Sequence, residues 1–154
     1  MRQPTFWSLA LAEITDPDYT HIAVDVLPAH ATADPAAWAR HLFSPTSLPR
    51  VLSWALSARL LLNGRLGRPR WCDAFRVDHV AGEEALVAMN ARLLDLRVGV
   101  GVDEDAALVR VVTAVRFKGA HVQRWSWPVR AMLPFVMRGM IGRSRRALSG
   151  VTRA

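Results

Sequence analysis

Two runs of strict alternation, over residues 92–102 and 108–117, constrain this chain more than anything else in it. In the first, Leu94, Leu96, Val98, Val100 and Val102 share one parity, with Asp95, Arg97, Gly99 and Gly101 between them. In the second, Val109, Val111, Thr113, Val115 and Phe117 share one parity, and Arg110 and Arg116 fall on the other. A period of two with one apolar face marks a half-buried strand. The acidic stretch Asp103-Glu104-Asp105-Ala106 reads as the loop of a hairpin. Setting Val102 opposite Ala107 places Val100 against Val109, Val98 against Val111, Leu96 against Thr113 and Leu94 against Val115. A slip of one residue would oppose valines with arginines, so the facing of the two strands is well specified.

The remaining segments read as partners of this hairpin. In residues 20–27, Thr20, Ile22, Val24 and Val26 alternate with His21, Ala23 and Asp25, which predicts a first strand ended by Pro28. Asp34-Pro35 is a helix start, an Asp N-cap followed by Pro at the first helical position. Trp38 and Leu42 form the i, i+4 pair that should turn inward, and Ser44-Pro45 breaks the helix. A second helix is expected over residues 49–63, with Gly64 as its left-handed cap. The basic loop of residues 64–70 reads as a solvated linker. Residues 74–80 predict a strand with Phe75, Val77 and His79 on its apolar side, and residues 85–89 another. Residues 127–148 predict a long amphipathic helix. Its apolar stripe is Met132, Leu133, Val136, Met137, Met140 and Ile141, and Arg130, Arg138 and Arg145 lie opposite. Pro134 should kink it or divide it. Residues 1–17 form an apolar arm and residues 149–154 a basic tail around a single domain spanning 1–154.

A sheet with one apolar face needs a cover. The last helix, roughly 30 Å long at 1.5 Å per residue, is the element expected to supply it. The expected class is α+β: a curved antiparallel sheet wrapped around a long C-terminal helix, with two short helices after the first strand. That is the helix-grip arrangement of START-like proteins. Asp18-Tyr19, residues 34–40 (Asp-Pro-Ala-Ala-Trp-Ala-Arg), residues 90–98 and the ending from Trp127-Pro128-Val129-Arg130 to Met137 resemble the domain-of-unknown-function 2867 family. The resemblance runs over about residues 18–148 and implies a START-like fold with no established activity. Leu93 stands where that family would lead us to expect a histidine.

Composition narrows the chemistry. The chain has one cysteine, Cys72, so no internal disulfide or all-cysteine metal site can form, which suits a cytoplasmic setting. No run approaches the roughly 18 apolar residues of a membrane span. The formal charge is +7, and from Arg116 onward there are nine basic residues and no acidic one. Such a segment seeks an anionic neighbour. The five histidines show no metal-ligand spacing, and neither a nucleophile elbow nor a phosphate loop occurs. No catalytic residue, metal or cofactor is expected on these grounds.

The leading expectation is a binding protein for an apolar small molecule held between sheet and final helix. Its lining would be Leu96, Val98, Val111, Thr113, Met132, Val136 and Met140, with His79 as a polar group in the cavity. The alternatives are a polyketide cyclase or dehydratase-like enzyme on the same scaffold, or a peripheral protein meeting an anionic membrane through Arg130, Arg138, Arg143, Arg145 and Arg146. Nucleic acid is disfavoured, because the arginines are spread without a recognition motif.

Overall fold

The computed structural model describes residues 7–49, 75–91, 93–124 and 126–149. The expected helix at 49–63, the basic loop at 64–70 and Cys72 fall outside this set, apart from Pro49. In order, the elements are α1 (Leu9–Glu13), β1 (Tyr19–Val26), α2 (Pro35–Leu42), β2 (Val77–Ala81), β3 (Glu84–Asn90), β4 (Leu94–Asp103), β5 (Leu108–Phe117), α3 (Ala120–Arg124) and α4 (Trp127–Leu148). The described strands form one antiparallel sheet in the order β1-β5-β4-β3-β2. The architecture is thus α+β, a five-stranded antiparallel sheet with a long C-terminal helix.

The central hairpin keeps the expected facing but pairs two residues further along. Val100 lies opposite Val111 and Val98 opposite Thr113. The loop decides this. The strands extend to Asp103 opposite Leu108, and the Asp103 carboxylate accepts the Ala106 N–H at 2.8 Å. Ala107 then takes a left-handed φ of 51°. The side chain closes the turn one residue later than the acidic run suggests.

One sheet face carries the main core. Val98, Val100, Val109 and Val111 pack there with Trp38, Leu42, Met137, Met140 and Ile141. The cover is shared, where the last helix alone was expected to span the sheet. α2 lies over β2, β3 and β4, and α4 lies over β1 and against α2. α2 follows its sequence signals: Asp34 accepts the Ala36 N–H at 2.9 Å, and Trp38 and Leu42 are each 1% exposed. Phe43, just past its end, stacks on Phe75 with ring centroids 4.8 Å apart.

The middle of the opposite face is covered too. The N-terminal arm contributes α1, whose Leu9 and Ala10, with Ile14, pack on Leu86, Val112 and Ala114. Ser8 caps α1 and donates a 2.5 Å hydrogen bond to the buried Glu84 carboxylate. That carboxylate also meets Arg110 at 3.6 Å. Gly101 lies between the two in the ladder, and Gly99 leaves the space the carboxylate occupies. Asp95, on this same face of β4, is 7% exposed. The Lys118 ammonium at 2.7 Å, helped by Arg116 at 3.5 Å, holds its carboxyl below the usual range against the opposing effect of burial.

α4 runs through Pro134 without dividing, and α3 precedes it as a separate turn. Proline has no N–H for the carbonyl four residues back, at Arg130. That freed carbonyl accepts the Tyr19 hydroxyl at 3.3 Å. At the other end of β1, Asp25 pairs with Arg145 at 2.8 Å. These two polar ties fasten α4 along the edge strand. They also explain which side of β1 turns inward: Tyr19, His21, Ala23 and Asp25 face α4, leaving Ile22, Val24 and Val26 exposed.

Candidate functional site

Of the seven expected lining residues, Val98, Val111, Thr113 and Met140 are fully buried beneath the helices, and Leu96 and Val136 are half-buried. Met132 is not part of that set. It is 57% exposed on the outer side of α4, because the stripe that meets the core is Met137, Met140, Ile141 and Ser144. His79 also lies elsewhere. A register shift between Val77 and His79 sets His79 opposite Leu86, on the α1 side of the sheet, and leaves it exposed beside Asp78 at 3.2 Å. The bulge reverses the alternation that put His79 with Val77. Glu13, Asp78 and His79 bring one ligand atom each within 4.8 Å of one another. All three are exposed, and Glu13 is committed to Arg97 at 3.0 Å.

The polar group that does lie under α4 is His21. It sits directly opposite Thr113 in the β1–β5 ladder, with both side chains on the α4 face. Cross-strand neighbours of this kind have Cβ atoms about 5 Å apart. His21 Nδ1 and Thr113 Oγ1 are both buried and have no hydrogen-bond partner among the described residues. Burial, and secondarily the positive charge of Arg138, hold the imidazole pKa below its ordinary 6.5. It is therefore neutral near pH 7, with one nitrogen donating and the other accepting. Tyr19, next along the strand face, has its pKa raised by burial, with Arg130 opposing, so its hydroxyl stays a donor. Arg130 folds over the Phe117 ring at 5.7 Å. Open grooves flank this seam. One of about 340 Å³ is lined by Ile22, Ala23, Val24, Asp25, Arg138 and Ile141, and one of about 360 Å³ by Val26, Pro28, Arg145, Arg146 and Ser149. Thr113 is 0% exposed and neither it nor His21 lines these grooves, so a carbonyl or hydroxyl would reach the pair only where α4 parts from β1.

A second polar cluster superficially resembles a nucleophile with its base. His41 Nδ1 lies 3.1 Å from Ser47 Oγ and 3.3 Å from Ser144 Oγ. Both serines are buried and already bonded within the cluster, Ser47 Oγ lying 3.4 Å from Ser144 Oγ, so neither is left to act on a substrate atom. With Arg143 donating to the Ser47 carbonyl at 2.8 Å, the cluster ties the end of α2 to α4.

Sequence reasoning passed over His21 because its neighbours Ile22, Val24 and Val26 make the opposite side of the strand look like the core side. Matching the odd residues of β1 to the odd residues of β5 would have found it. No family model, curated protein or solved structure matches the chain.

Proposed function

We propose that the protein is a START-like, helix-grip binding protein for a small, largely apolar molecule carrying one hydrogen-bonding group. The molecule would lie in the seam between β1, β5 and α4, with its polar group on His21 and Thr113. The observation that carries this reading is the pair of adjacent buried polar atoms, His21 Nδ1 and Thr113 Oγ1, without partners. Leaving such an atom unpaired costs about 1–3 kcal/mol, and a carbonyl or hydroxyl of a ligand would recover it. The flanking groove of about 340 Å³, lined by Ile22, Ala23, Val24, Asp25, Arg138 and Ile141, would be the way in, with α4 moving off β1 to admit the polar group to His21 and Thr113. A proton-transfer enzyme on this scaffold has less support, since His79 is exposed on the other side of the sheet.

Displacement of an environment-sensitive dye by fatty acids, sterols and aromatic polyketides tests the proposal. At least one class should displace it. Thr113→Val keeps the shape and removes the hydroxyl, so affinity should fall on the order of tenfold, about 1.4 kcal/mol, with stability unchanged or improved. No displacement by any class, or equal affinity in Thr113→Val, would discard the reading.

A further inference from the structure

α4 is apolar on two sides, and only one of them meets the core. The inner stripe of Met137, Met140, Ile141 and Ser144 is buried. On the outer side Trp127 is 68% exposed, Met132 57% and Phe135 76%. Trp127, Ala131 and Phe135 follow one another at four-residue spacing, so they form a continuous ridge on the helix surface. A soluble helix ordinarily turns charged and polar residues outward. Large apolar side chains left this open mark an interaction surface.

Basic residues frame the ridge. Arg124 stands before it at the end of α3, and Arg138 and Arg146 follow it along α4, all exposed. Nothing acidic interrupts the chain from Arg116 onward. Not every arginine of this segment belongs to the frame. Arg143 is turned to the Ser47 carbonyl, Arg145 to Asp25 and Arg130 to the Phe117 ring.

We propose that the outer face of α4 docks the protein on an anionic lipid surface. Trp127, Met132 and Phe135 enter the headgroup–acyl boundary, and Arg124, Arg138 and Arg146 meet lipid phosphates and carboxylates. Charge selects the occupant. A second copy docking by the same face would bring two arginine frames together, which like charges oppose. Shape agrees with charge: a convex ridge needs a matching groove on a protein, whereas a lipid interface yields around it. Tryptophan is at home at that depth, its ring among apolar groups and its N–H among polar ones. The proposal stands apart from the ligand reading and survives its failure.

Co-sedimentation with vesicles tests it, using phosphatidylcholine alone and phosphatidylcholine mixed with phosphatidylserine, at low and high salt. The wild type should pellet with the mixed vesicles at low salt and be released at high salt. Phe135→Asp, and separately the pair Arg124→Glu and Arg146→Glu, should each weaken binding on the order of tenfold. Circular dichroism and melting of the same variants check that the fold is intact; all three positions are exposed. Absence of binding, equal binding to neutral and anionic vesicles, or undiminished binding by Phe135→Asp would overturn the proposal. So would a concentration-dependent dimer that Phe135→Asp dissolves.

Discussion

Replacing Gly99 with alanine should destabilise the protein by about 2–4 kcal/mol, and the structure says where that energy goes. Gly99 lies on β4 facing α1. A Cβ there would overlap the Glu84 carboxylate oxygen and stand 2.8 Å from Ser8 Oγ. The carboxylate would have to leave its slot. It would then lose the Ser8 hydrogen bond, a charge-assisted contact of the kind worth about 1.5–3 kcal/mol. Crowding adds about 1–3 kcal/mol where neighbours cannot yield. Against this, alanine lowers the entropy of the unfolded chain by about 0.4–1 kcal/mol. The Arg110 contact adds little, because that guanidinium is partly in water. Urea unfolding of wild type, Gly99→Ala, Glu84→Ala and the double variant closes a cycle. With Glu84 truncated only Ser8 Oγ still crowds the new methyl, and that hydroxyl, freed of its carboxylate partner, can turn aside, so Gly99→Ala should then cost under about 1 kcal/mol, a coupling of about 2 kcal/mol. Gly142→Ala is the control: a Cβ there meets nothing within 4 Å, and in mid-helix it should stabilise by about 0.5–1 kcal/mol. An equal cost for Gly99→Ala in both backgrounds would refute the steric account.

His21 predicts an acid-labile contribution to stability. Its folded pKa lies below 6.5 through burial first and Arg138 second, so below about pH 6.5 the unfolded chain binds a proton that the folded one refuses. Stability should fall as pH drops through that value and level off once the folded imidazole also titrates. His21→Gln should flatten this part of the profile, and an NMR titration placing His21 at or above 6.5 would contradict it. At Trp38, Trp38→Ala should cost about 3–5 kcal/mol of unfolding free energy. Trp38→Phe, which mainly loses the 2.7 Å Nε1–H bond to the Thr32 carbonyl, should cost about 1–2. Similar losses for the two would mean that burial of the ring is not what holds α2 on the sheet.

Local signals were enough to determine several elements of this protein. Asp34-Pro35 with Trp38 and Leu42 specifies both the start of α2 and its inward side, because capping and i, i+4 spacing act within one turn. The valine alternation specifies which faces of β4 and β5 coincide, since a slip of one residue would bury arginine. It cannot distinguish a slip of two, which preserves every facing. The Asp103 turn and left-handed Ala107 chose between those registers. Tertiary structure alone decided the candidate site. Tyr19 and Asp25 find their partners on α4, more than a hundred residues away, and so turn His21 inward and Ile22 outward. A bulge carried His79 to the other face. Alternation reports that a strand has two sides; the long-range polar ties and the bulge decide which side meets the core.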